Sequence, residues 1–143
     1  MPSSTRGGRG NNIYSAFSLI INSSIEGNSA IHFLDNDSSL PSFKRFFFIT
    51  SDGQTERGNH AHKYATQAFI VVKGEVSLFV KDGMNEKMYN LKPGDECIVL
   101  PPGLWSRQTF VESSILFVLT DTEYSEEEYI RDWEDYLRFK SAI

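Results

Sequence analysis

Short strand-like runs separated by glycine and proline turns are the feature that most constrains the fold. Six such runs follow one another without a helical pattern between them, at residues 67–72, 75–80, 86–91, 96–100, 105–111 and 114–120. The intervening turns include Lys73-Gly74, Lys92-Pro93-Gly94-Asp95 and Pro101-Pro102-Gly103. Regular short strands with turns of this kind are typical of antiparallel sandwiches and barrels. The sequence therefore predicts an all-β domain.

The flanking regions extend this pattern at both ends. Upstream, residues 16–22 and 30–34 predict a hairpin with its turn at 26–29, and the aromatic run 44–50 predicts another strand. Downstream, Ser125 followed by three glutamates and an apolar stripe predicts an amphipathic helix that packs on the barrel. Residues 1–12 are rich in glycine, serine and arginine, so we expect a flexible segment followed by one domain over 13–143.

Composition excludes several classes of function. The 143 residues carry a net charge of −5, which argues against nucleic acid or an anionic membrane as a partner. No apolar run is long enough to span a bilayer, and the first residues do not resemble a secretory signal. The single cysteine, Cys97, cannot form an internal disulfide. A reducing, cytoplasmic location is the expected setting.

Two of the three histidines, His60 and His62, lie one residue apart just before a strand-like run. In an extended chain both imidazoles project from the same face. Such a pair is either an accident on a wet strand or part of a site that transfers protons or binds a metal. The third, His32, lies between Ile31 and Phe33 and is expected to be an ordinary strand residue.

The order of these motifs resembles the cupins, whose fold is a double-stranded β-helix or jelly roll. The resemblance is carried by His60-Ala61-His62, Gln67, Gly74, Lys92-Pro93-Gly94-Asp95 and Pro101-Pro102-Gly103 with Trp105. It implies a barrel with a short C-terminal helix. Metal-binding cupins generally have a glutamate where this chain has Gln67 and a third histidine where it has Ser106. Because amide and hydroxyl groups are poor replacements for those ligands, we expect no bound metal and no cofactor.

A narrower set of motifs resembles the WxcM-like sugar-nucleotide 3,4-ketoisomerases. It comprises Lys44-Arg45 before aromatic residues, Arg57-Gly58-Asn59-His60-Ala61-His62-Lys63, the Pro-Pro-Gly-x-Trp motif and the tail 124–133. The resemblance implies that a dTDP-4-keto-6-deoxyhexose becomes its 3-keto isomer, in deoxy- or amino-sugar biosynthesis that can serve lipopolysaccharide O-antigen. Two features depart from the family. Ser24-Ile25-Glu26-Gly27 stands where the family tends to have Asp-x-Arg-Gly, and Phe46 to Phe48 stand where it often has tyrosine.

The resemblance also implies roles for individual residues. His60 and His62 would transfer protons through an enediol. We assign the base to His62, because a position further into the strand should be drier and keep the imidazole neutral, with His60 as its partner. Arg45 and Arg57 would stabilise the enediolate or bind the pyrophosphate. The remaining substrate-binding candidates are Tyr64, Gln67, Trp105 and Arg107, although ordinary packing explains Tyr64 and Trp105 equally well.

Two other functions remain open: a non-catalytic sugar-nucleotide-binding cupin, and an epimerase or metal-dependent cupin enzyme. The apolar surface of the N-terminal hairpin and of Phe46 to Phe48 predicts a homodimer.

Overall fold

A computed structural model describes residues 15–35, 40 and 42–142, and these form two five-stranded antiparallel sheets, a separate two-stranded hairpin and one short helix. In chain order, the strands are β1 (Phe17–Leu19), β2 (Asn22–Glu26), β3 (Ser29–Phe33), β4 (Arg45–Ser51), β5 (Thr55–His62), β6 (Gln67–Lys73), β7 (Val76–Lys81), β8 (Glu86–Leu91), β9 (Cys97–Leu100), β10 (Trp105–Phe110), β11 (Ser114–Thr120) and β12 (Tyr129–Ile130). Helix α1 is Trp133–Ala142. The predicted all-β jelly roll with a C-terminal helix is confirmed. The predicted flexible segment 1–12 lies outside the described residues.

The two sheets enclose one core. Sheet 1 has the strand order β1-β9-β6-β11-β4, and sheet 2 has the order β12-β5-β10-β7-β8. Alternate residues of each strand point inward, as the burial of Val76, Leu78 and Val80 in β7 shows. The fully buried Phe110 of sheet 2 and Val118 of sheet 1 belong to the same apolar cluster. No helix in the described part of the chain is long and apolar enough to cross a membrane.

The N-terminal hairpin differs from its predicted boundaries. The run 16–22 is divided, because β1 pairs with β9 of sheet 1 whereas β2 pairs only with β3. The chain leaves sheet 1 at Ile20, which is 73% exposed. The predicted hairpin is therefore present as β2–β3, and its turn lies at Gly27, where φ is +58°.

The C-terminal helix begins at Trp133, eight residues after the predicted start at Ser125. Glu126–Glu128 form a 3₁₀ turn, and β12 then pairs with β5. Tertiary pairing overrides the local helical pattern here. The helix is capped by Asp132, whose carboxylate accepts a hydrogen bond from the backbone N–H of Asp135 at 3.0 Å. Its aromatic residues pack on the barrel as predicted, with the Trp133 ring centroid 5.1 Å from that of Trp105.

Candidate active site

A cavity of about 370 Å³ lies between the inner faces of the two sheets. Sheet 1 supplies a mostly apolar wall, made of Phe47, Ile49, Phe69, Val118 and the polar Gln67. The opposite wall is polar and consists of Glu56, Arg57, Gly58, His60, Gln108, Tyr129 and Arg131. Such a cavity suits a ligand that is apolar on one side and bears oxygen atoms or charge on the other.

A β-bulge in β5 determines which side chains face this cavity. Ser106 pairs with His60 and Arg107 pairs with Gly58, so Asn59 is an extra residue in β5. The backbone makes room for it with positive φ angles at Gly58 (+93°) and Asn59 (+61°). In a regular strand Arg57 would point away from the face that carries His60, because side chains alternate. The bulge reverses this relation, and Arg57 lines the cavity beside His60.

His62 lies deeper than His60 and is held by a carboxylate that the sequence analysis did not identify. It is 6% exposed, and its Nδ1 is 2.5 Å from Oε2 of Glu128, which is 1% exposed. The other oxygen of Glu128 accepts backbone N–H groups of Tyr64 at 3.3 Å and Ala65 at 3.0 Å. Burial opposes ionisation of Glu128, but the bonds from His62 and the two N–H groups lower its pKa overall. Glu128 is therefore a buried carboxylate whose hydrogen bonds join the His62 imidazole to the loop at Tyr64 and Ala65.

His60 is half-buried and lines the cavity, and its ring is packed by neighbouring rings. Its centroid is 5.1 Å from that of His62 and 4.9 Å from that of Tyr129. Burial, followed by the charges of His62 and Arg131, lowers the pKa of His60 to about 4. His60 is therefore unprotonated at neutral pH. The burial order predicted for the two histidines is confirmed, but the residue that faces the cavity with a depressed pKa is His60.

Arg131 adds a second guanidinium to the cavity wall. It stacks over the Tyr129 ring at 4.5 Å and donates two hydrogen bonds to Glu126, of 2.7 and 3.0 Å. Tyr124 also donates a hydrogen bond to Glu126, at 2.6 Å. The hydrogen bonds to Glu126 orient the Arg131 side chain. Arg131 therefore gives the cavity a second guanidinium group that can donate hydrogen bonds to phosphate oxygens.

Two of the other predicted residues lie at or near the cavity. Gln67 is 5% exposed and lines it from the start of β6. Arg45 does not line it but lies close by in register, since Arg45 and Gln67 both pair with Thr120. The Nε atom of Arg45 is buried without a hydrogen-bond partner among the described residues, and its guanidinium lies 5.2 Å from the ring centre of Phe47.

The other three predicted binding residues lie outside the cavity in this chain. Trp105 is 7% exposed, on the opposite face of sheet 2, where it packs against α1. Tyr64 is an exposed loop residue. Arg107 stacks over the Phe79 ring at 4.5 Å, and its Nε is 3.8 Å from Glu56. The packing alternative for Trp105 is the one that the structure supports, because strand alternation directs residues 105 and 107 away from the barrel interior.

Glu128, Tyr129 and Arg131 are further residues of this site that the sequence pattern does not indicate as site residues. The one signal for them is the motif over 124–133, which belongs to the family resemblance but also has the pattern of an amphipathic helix. An extended segment after the turn places Tyr129 opposite His62 across the β5–β12 pair. The same pairing brings the Glu128 carboxylate into contact with the His62 imidazole.

Metal binding can be tested directly. Among the described residues, no group of three histidine, cysteine or acidic side chains is arranged to hold a metal ion. Because His60 and His62 have only the amide of Gln67 as a further ligand from the cupin motif, we predict that the protein retains no transition metal. Elemental analysis after dialysis should find less than one zinc, iron or manganese per chain. Stoichiometric metal that survives dialysis would contradict this prediction.

The chain is similar to proteins of known family and activity. A family model described as "FdtA: WxcM-like, C-terminal" matches residues 15–141. A TDP-4-oxo-6-deoxy-alpha-D-glucose-3,4-oxoisomerase from Aneurinibacillus thermoaerophilus is 24% identical over 122 residues, which are 83% of this chain and 88% of that protein.

Solved structures agree with this match. A 3,4-ketoisomerase from Helicobacter canadensis is 27% identical with a TM-score of 0.81, covering 88% of this chain and 97% of that chain. The QdtA 3,4-ketoisomerase from Thermoanaerobacterium thermosaccharolyticum, solved as a histidine-to-asparagine variant in complex with TDP-4-keto-6-deoxyglucose, is 25% identical with a TM-score of 0.81. That match covers 90% of this chain and 96% of the QdtA chain. Because the family model spans nearly all the described residues, this chain belongs to the FdtA family of WxcM-like C-terminal domains.

Proposed function

We propose that this protein is a sugar-nucleotide isomerase that moves the keto group of a dTDP-4-keto-6-deoxyhexose from C4 to C3. The observation that carries the proposal is the position of His60, a neutral imidazole in a cavity that also contains Arg57 and Arg131. The similar proteins named above are 3,4-ketoisomerases or an oxoisomerase, which supports the same reaction class. The apolar wall suits the C6 methyl group of a deoxysugar, and the guanidinium groups suit the enediolate and the diphosphate.

The reaction needs one base and a stabilised intermediate. His60 takes the proton from C3, and the electron pair of that bond forms a C3–C4 double bond while the C4 carbonyl oxygen gains negative charge. Arg57, which faces the same cavity, stabilises this enediolate. His60 then returns a proton to C4 as the C3 hydroxyl loses its own proton and becomes the new carbonyl. Protons on the two oxygens exchange with water. This assignment reverses the one made from the sequence, because His60 rather than His62 lines the cavity.

The experiment that tests this function follows hydrogen exchange. The protein is incubated with dTDP-4-keto-6-deoxyglucose in deuterated buffer, and the sugar is examined by NMR. We expect deuterium at C3 of the substrate and at C4 of a 3-keto product. A protein that binds TDP but causes neither exchange nor isomerisation would be the non-catalytic binding module, for which the departures at residues 24–27 and 46–48 are the sequence support. Inversion at C3 or C5 without keto transfer would indicate an epimerase.

The depressed pKa of His60 predicts the acid limb of the pH–rate profile. His60 is active when unprotonated, so kcat/KM should be lost only as pH falls through its folded pKa of about 4. The unfolded chain binds this proton near its ordinary pKa of 6.5, so the free energy of unfolding should also decline between about pH 6.5 and 4. Initial rates and circular dichroism measured over the same pH range check both effects. An acid limb centred near pH 6.5 in a fully folded protein would contradict the assignment.

We also propose that two copies of this chain form a homodimer. Phe46 and Phe48 point outward from the edge strand β4 and are 63% and 60% exposed, and Ile25 and Ile31 of the hairpin are 77% and 67% exposed. An edge strand with exposed aromatic residues favours pairing with another chain. Sedimentation should give about twice the chain mass of 16.3 kDa.

The double variant Phe46→Asp/Phe48→Asp should shift that mass toward the monomer. Met84→Asp, at a loop residue that is 92% exposed, is the matched control and should leave the dimer intact. A wild-type monomer at micromolar concentration would contradict the proposal. We also propose a cytoplasmic location, since Cys97 is the only cysteine in the chain and is buried, so that no disulfide within the chain calls for an oxidising compartment.

A further inference from the structure

We infer that Glu128 is a positioning residue for the isomerase site, because it holds His62 with the proton on Nδ1 and leaves Nε2 as an acceptor beside His60. This inference rests on the proposed function. Its geometric basis is the buried contact of 2.5 Å between Nδ1 of His62 and Oε2 of Glu128. An ionised carboxylate can only accept a hydrogen bond, so the imidazole must donate from Nδ1.

Backbone groups also hold the Glu128 side chain in this orientation. Its second oxygen accepts the backbone N–H groups of Tyr64 and Ala65, in the loop between β5 and β6. The bonds from His62 and Ala65 are buried, the bond from Tyr64 is partly buried, and Glu128 itself is 1% exposed. A side chain fixed by three donors is a rigid support for an imidazole ring.

The second ring nitrogen of His62, Nε2, lies in the same buried cluster as His60. Nε2 is buried and has no hydrogen-bond partner among the described residues, as is also true of Nδ1 of His60. The two rings are nearly perpendicular, at 82°, with centroids 5.1 Å apart. The Tyr129 ring lies 4.5 Å from that of His62 and closes the cluster toward the cavity. A neutral His62 with its lone pair on Nε2 favours the protonated form of His60 that exists between proton removal and proton return, whereas a positive charge on His62 disfavours it.

Glu128→Gln changes the tautomer with little change of shape. The two backbone N–H groups require an oxygen, so the amide oxygen should take their side and the NH₂ group should face Nδ1 of His62. His62 must then accept at Nδ1 and carry its proton on Nε2. We expect kcat to fall by about 10- to 100-fold, the size of effect that follows loss of a carboxylate that orients a metal-bound histidine, while KM changes little. Glu127→Gln, an exposed neighbour with the same change of charge, is the control.

The test combines NMR with kinetics. Two-bond ¹H–¹⁵N spectra of histidine-labelled protein should show His62 protonated on Nδ1 in the wild type and in Glu127→Gln, and on Nε2 in Glu128→Gln. An Nε2–H tautomer in the wild type would overturn the inference even if Glu128→Gln failed to fold. A tautomer change with unaltered kcat would overturn it as well. If the wild-type protein has the expected tautomer but no isomerase activity, the proposed function fails and the positioning role fails with it, whereas the tautomer still supports the hydrogen bond between His62 and Glu128.

Discussion

His60→Asn should abolish deuterium exchange at C3 and lower kcat for isomerisation by about 10²–10⁴-fold, the usual effect of removing a general base. Asparagine has a similar size and can form hydrogen bonds, but it cannot accept a proton at neutral pH. His60 lines the cavity, and its pKa of about 4 keeps it unprotonated there. NMR in deuterated buffer measures exchange, and a coupled assay of the 3-keto product measures turnover.

Two further variants make this result specific. His62→Asn should slow turnover but retain measurable exchange, because His62 is buried behind His60. His32→Asn is the control, since His32 lies in the exposed hairpin and contacts Ser23 at 2.7 Å. Loss of exchange in His62→Asn with normal exchange in His60→Asn would return the base to His62. Full activity in both variants would refute the mechanism.

Gly58→Ala should reduce both stability and activity. Gly58 has a φ of +93°, and an added Cβ would lie 3.0 Å from Oε1 of Gln108 and 3.0 Å from the backbone oxygen of Ser106. Holding a non-glycine residue in such a conformation costs about 1–3 kcal/mol of unfolding free energy. Relief of the contact must shift the bulge that presents Arg57 and His60, and a misplacement of about 1 Å can cost about 10²-fold in rate.

Urea unfolding and kcat/KM of the same preparations measure the two effects of Gly58→Ala. Gly53→Ala is the matched control, because Gly53 has no positive φ and no heavy atom lies within 4 Å of its added Cβ. We expect Gly53→Ala to retain wild-type stability and activity. Wild-type values for Gly58→Ala would show that the bulge tolerates a side chain and does not depend on glycine.

The architecture and the shared face of the two histidines could be predicted from local sequence patterns alone. Short strands between turn-forming residues can be recognised locally, because alternation and turn chemistry depend on near neighbours in the chain. The runs 67–72 and 114–120 therefore match β6 and β11 closely. The same local rule places His60 and His62 on one face, and the contact between their rings confirms it.

The residues that surround the two histidines could not be predicted in this way, because they come from distant parts of the chain. Glu128 is 66 residues from His62 in the chain, and no local pattern indicates that pairing. The segment after Ser125 has a helical pattern, but hydrogen bonds to β5 make Tyr129–Ile130 a strand. The bulge at Asn59 depends on the register between β5 and β10, and it turns Arg57 toward the cavity. Such features arise from contacts between distant strands, whose free energies exceed the local preferences of the residues involved.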